Sequence, residues 1–95
     1  MAGLQVGYCE GASSITRVYA TAADIEAWNP VTGAWQNVTL LQRYFPVPHR
    51  LLPPRAGNNA GETGAYPEPE AAALVAAGLA TLVGTASPQA GTFTP

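Results

Sequence analysis

Cys9 and His49 are the side chains of this chain best suited to nucleophilic or general-base work, and it has one of each. Nothing in their spacing brings them together. Cys9 lies in a glycine-rich stretch, "GYCEG", with no neighbouring cation to lower its pKa. One histidine and one cysteine also fall short of the ligand set that zinc needs. Glu62, Glu68 and Glu70 are close enough in sequence to suggest paired carboxylates. Glu62 is better placed to bond the backbone of its own turn, and Glu68 and Glu70 to meet the positive end of a helix dipole. "GNNAGETG" has the glycines of a phosphate loop but lacks its lysine and its Ser/Thr, so it reads as a turn. "NVT" at Asn37 fits a glycosylation acceptor and carries no weight without a secretion signal. No cofactor, no metal and no catalytic residue is expected.

The aromatic residues offer another kind of chemistry. Trp28 and Trp35 flank "NPVTG", and three readings compete for them: interface anchors first, core second, a sugar-stacking platform a distant third.

Composition narrows the class. The 95 residues suffice for one small domain, whose core leaves a thin stability margin. Charged residues are 11% of the chain, well under half the usual share of about 25%. Lysine is absent, and the cations are Arg17, Arg43, Arg50 and Arg55. So little charge leaves much of the surface open to neutral contact, as in a subunit covered by partners. A GC-rich genome would also push composition this way. Four dispersed arginines on a chain of net charge −2 make no phosphate-binding surface, so nucleic acid is not an expected partner. No apolar run approaches the ~20 residues that cross a bilayer, and the opening "MAGLQVGYCEGASS" has no signal-peptide pattern. The expectation is a protein made in the cytoplasm with no membrane partner.

These side chains need elements to hold them. Residues 1–12 read as an N-terminal arm with room for a short strand from Leu4 to Tyr8. "SSITRVYA" alternates, placing Ile15, Arg17 and Tyr19 on one strand face and Thr16, Val18 and Ala20 on the other. Residues 25–45 read as a hairpin about "NPVTG", with Trp28 and Trp35 meeting across the strands for about 0.2–1 kcal/mol. The competing reading begins a helical turn at "TAAD", capped by Thr21. The second strand, Ala34 to Phe45, is long enough to bend or to change partners. Residues 46–56 form a proline-rich connector in which only His49 to Leu52 could pair. Residues 57–83 form a strand-turn-helix-strand unit: a turn about Gly57–Gly61, the strand "ETGAY", a helix over about 68–77, a stop at Gly78 and a strand from Leu79 to Val83. Residues 84–95 read as a C-terminal arm anchored by Phe93. The fold class is therefore α+β and mostly β, a small antiparallel sheet with one short helix and extended arms around one domain, 13–83.

"LLPPRAGNNAGETGAYPEPEAAALVAAGLATLV", Leu51 to Val83, resembles a pattern common in small proteins encoded among the head genes of tailed bacteriophages. The matching positions are the turn Asn59, Ala60, Gly61 and Glu62, then Tyr66, then Ala71, Leu74 and Val75, then Ala76, Ala77 and Gly78, and finally Leu79 and Ala80. The aromatic usual before the turn is replaced by Asn58. The resemblance covers about a third of the chain and implies a virion structural protein without catalytic residues, either a capsid decoration or cement protein or a head-to-tail joining piece.

The expected function is mechanical: a cement protein that stabilises a shell by binding several copies of the major capsid protein and copies of itself. Tyr8, Trp28, Trp35, Arg43 and Phe93 are the expected interface residues. The alternatives are a head-tail connector and a non-enzymatic carbohydrate- or protein-binding module.

Overall fold

A computed structural model of the chain describes residues 3–29 and 32–86. In chain order these form β1 (Gly3–Glu10), β2 (Ile15–Thr21), α1 (Ala22–Ala27), β3 (Trp35–Leu40), β4 (Arg43–Pro46), β5 (Thr63–Pro67), α2 (Glu68–Ala76) and β6 (Ala80–Ala86). The strands build two antiparallel three-stranded sheets. The first has the order β2-β1-β4 and the second β5-β3-β6. The fold is α+β and mostly β, as the sequence implies, but with two sheets and two helices where one of each was expected.

The first sheet corrects the N-terminal arm. β1 is its central strand, paired with β2 from Gly3 to Glu10 and with β4 from Gly7 to Glu10. Its Val6 and Cys9 are buried. Gly7–Glu10 are paired on both sides and Gly3–Gln5 on one, so this segment does not need an external chain to order it. Three glycines made it look slack, yet Gly7 is there for packing. A Cβ at that position would collide with the phenol of Tyr44 and the carbonyl oxygen of Phe45.

The hairpin over 25–45 is also corrected. Ala22–Ala27 is a helix, with Thr21 at its N-cap position though making no side-chain capping bond. The turn itself holds among the described residues: Gly33 N–H donates to Asn29 O at 2.5 Å, and Thr32 N–H to Asn29 Oδ1 at 3.3 Å. Pro30 of that turn lies outside the described residues. The long second strand does change partners. β3 belongs to the second sheet, the chain breaks at Leu41–Gln42, and β4 joins the first. One strand run thus ties both sheets together.

β5, α2 and β6 follow the order read from the sequence. Pro67 and Pro69 open α2, whose first free N–H, that of Glu68, donates to Ala34 O at 3.0 Å. Gly78, at φ +75°, stops it. Such a φ is open to glycine and costly to other residues, which is why a glycine stands there. β5 and β6 both pair with β3, so α2 carries the chain across the sheet. The helix packs on β2 of the first sheet and on β3, β5 and β6 of the second. Leu74 and Ala71 of α2, Val18 and Ala20 of β2, and Val38 and Leu40 of β3 are buried in the resulting core. The connector is likewise more ordered than expected: Leu52 N–H donates to His49 O at 3.1 Å in a turn, and Leu52 and Arg55 are buried. Residues 87–95 lie outside the described residues, and with them most of the expected C-terminal arm, whose first residues, 84–86, belong to β6.

Candidate functional site

The densest polar cluster is internal. Arg55 Nε donates to Glu70 Oε1 at 2.8 Å, and Arg55 Nη2 to Glu70 Oε2 at 3.1 Å and to Val6 O at 2.9 Å. Tyr44 Oη donates to Val6 O and makes a short hydrogen bond to Glu70 Oε2. Tyr66 Oη donates to Ala56 O and accepts from Asn58 Nδ2, both at 2.8 Å, and its ring meets that of Tyr44 edge-on at 5.3 Å. Glu70 lies in the first turn of α2, as its sequence position implies, but its carboxylate is fully buried. The forked pairing satisfies both oxygens, as a buried carboxylate requires. The cluster is buried and clamps connector, helix and both sheets together.

Burial governs the titration of these groups. It pushes the Cys9 thiol up to about 11 and the Tyr66 phenol upward. It raises Tyr44 as well, reinforced by the charge of Glu70. In Glu70 burial also raises the carboxyl pKa, with Arg55 opposing it. A thiol so raised is almost wholly protonated at neutral pH and inert as a nucleophile. For Cys9 and the two tyrosines the folded chain keeps protons that the unfolded chain releases, so their contribution to stability is full below about pH 9 and is lost as pH rises. The raised Glu70 acts in the same sense at lower pH, above its ordinary value of 4.5. Thermal unfolding midpoints should therefore fall steadily between pH 9 and pH 11. A flat profile across that window would remove the burial argument for Cys9 and the tyrosines.

Trp28 and Trp35 meet edge-on with centroids 6.0 Å apart, and both belong to the buried core. They meet because α1 and the turn fold Trp28 back, its Nε1–H donating to Ala34 O at 3.0 Å, and not as a cross-strand pair. Core, the second-ranked reading, displaces interface anchor for both. No indole is exposed as a stacking platform for a sugar. Phe93 lies outside the described residues.

Tyr8 and Arg43 come together on the outward face of the first sheet. The register aligns Tyr8 with Arg17 on one side and Phe45 on the other, Glu10 with Ile15 and Arg43, and Gln5 with Tyr19. Residues aligned across strands share a face. The opposite face carries the buried set, Val18, Ala20, Cys9 and Tyr44. On the outward face Tyr8 and Phe45 stack at 5.0 Å with their planes 20° apart, and the Arg43 guanidinium lies 4.8 Å above the Phe45 ring centre. Ile15 and Tyr19 are more than half exposed, at 54% and 55%. The alternation in "SSITRVYA" marks Ile15, Arg17 and Tyr19 as one face. Phe45 goes unmarked because nothing in sequence links it to Tyr8.

The second sheet has a different exposed surface. Its outward side carries the threonine row Thr63, Thr39 and Thr81, with the first two hydroxyls 2.9 Å apart. Its edge strand β6, "ATLVGTA", holds no charge and no proline. There Leu82 is 59% exposed and Val83 60%. The register moves from Asn37–Gly84 to Val38–Leu82, so Val83 is the extra residue of a bulge.

A cleft of about 470 Å³ separates α1 from the start of α2, lined by Asp24, Trp28, Thr32, Glu68 and Pro69 among others. Among the described residues no group of three His, Cys, Asp or Glu is placed to hold a metal, and no helix is long and apolar enough to cross a membrane. No family model, no curated protein and no solved structure matches the chain.

Proposed function

We propose that the chain is a structural protein of a bacteriophage virion, a cement that decorates the capsid and binds several copies of the shell protein. The observation that carries this reading is β6: an uncharged edge strand with a leucine and a valine both more than half exposed. Edge strands are ordinarily blunted by lysine, proline or an inward charge, because their open backbone groups recruit other strands. β6 has only its bulge. An edge so exposed is suited to pairing with an extended segment of a neighbour, main-chain bonds giving affinity and the two apolar side chains giving area.

A cement must also grip more than one neighbour. The outward face of the first sheet supplies a second uncovered surface, made of Tyr, Phe and Arg, the residue types enriched where binding energy concentrates. Two surfaces on two sheets let one copy bridge neighbours, and bridging multiplies weak contacts by effective concentration. The resemblance of residues 51–83 to small phage head proteins points the same way, and the dearth of surface charge fits a chain covered in use.

The test is to purify particles made from the genome that carries this gene and to quantify and image the chain on them. Copies distributed over the shell support the reading. A single ring at the neck would make it a connector, and particles free of the chain would end the virion assignment.

A further inference from the structure

We infer that the outward face of the first sheet docks on a second copy of this chain, head to tail, against the acidic surface formed by α1 and the first turn of α2. Charge complementarity selects this partner. Arg17 and Arg43 are on that face, flanking the Tyr8–Phe45 stack, and Glu10 is the one carboxylate its register includes. The remaining surface acids lie elsewhere: Asp24 and Glu26 on α1, Glu68 opening α2, and Glu62 engaged by the N–H of Asn59. Asp24 and Glu68 line one cleft, with Trp28 and the alanines Ala27 and Ala72 also in its walls.

This pairing of shapes suits a guanidinium. The cleft offers two carboxylates for its donors. Arg17 is exposed in the middle of β2, the outer strand of its sheet, with Ile15 and Tyr19 beside it on the same face. A copy that inserts Arg17 between Asp24 and Glu68 of the next would also cover Ile15 and Tyr19, the apolar residues that water now meets. The two patches are different surfaces of the molecule, so the contact is heterologous. Such contacts either close into rings or run on as filaments. The inference extends the cement reading by assigning this face to self-contact, which leaves β6 for the shell.

The experiment uses the purified chain alone, by sedimentation velocity over a range of concentrations and salt, with circular dichroism confirming that each variant folds. The wild-type chain should self-associate at low salt, and 0.5 M NaCl should weaken that by about tenfold or more. Arg17→Glu and Asp24→Arg should each be monomeric. Mixed in equal amounts they should associate again, because the intact cleft of the first takes the intact face of the second and the two substituted surfaces are complementary in turn. The double variant Arg17→Glu/Asp24→Arg should regain self-association. A monomeric wild type, single variants that associate like wild type, or a mixture that stays monomeric would each overturn the inference. None of those results bears on whether β6 grips a shell.

Discussion

Arg55→Met should cost about 3–5 kcal/mol of folding stability, because it leaves the Glu70 carboxylate buried with its strongest partner gone. A chain of this size has only about 5–14 kcal/mol to lose, and each kcal/mol corresponds to roughly 4–8 °C in Tm. The expected result is a melt lowered by more than about 12 °C, or no folded state at 37 °C. Glu70→Gln should be milder, since an amide of the same shape keeps a bond to Tyr44. The informative variant is the double one, Arg55→Met/Glu70→Leu. It removes both charges and leaves the Tyr44 hydroxyl its bond to Val6 O, so most of the loss should be recovered. Chemical denaturation of the set measures this directly. A single Arg55→Met variant within about 1 kcal/mol of wild type would mean that the clamp holds nothing together.

Leu82→Lys/Val83→Lys should have the opposite profile, with a small effect on folding and a large one on binding. Both side chains are more than half exposed, so the free chain should change by less than about 1 kcal/mol. On a particle the same two residues are expected to be covered. Burying a leucine and a valine contributes about 1.5–3 kcal/mol each, and lysine at an edge repels an added strand. Loss of about 3 kcal/mol corresponds to roughly a hundredfold weaker association with particles. Binding within threefold of wild type would remove β6 from the account.

Much of the second sheet was legible because its signals are local. The prolines before α2, Gly78 after it, and the turn at Gly61 are each fixed by the dihedral angle their position needs. The errors fell where non-local packing decides. β1 looked like an arm because its glycines weaken strand propensity, whereas Gly7 is small to admit the Tyr44 ring. Residues 25–27 read as the start of the hairpin because β-formers flank the turn, yet Ile25 is buried in a helix that brings Trp28 onto Trp35. Glu70 reads as a charge facing the helix dipole because helix starts favour acids, and its partner, Arg55, sits in a connector that no periodicity ties to it. The outward aromatic face was half legible. Alternation gives Ile15, Arg17 and Tyr19, but Tyr8, Phe45 and Arg43 join them through the pairing of β1 with β4.

Hydrogen exchange of the chain, free and on purified particles, tests most directly whether its exposed edge is completed by a neighbour. The amides of β6 should exchange at least about tenfold more slowly on the particle, while those of β3, already paired on both sides, should barely change. Identical β6 exchange in the two states, on particles shown to carry the chain, would contradict strand addition at that edge.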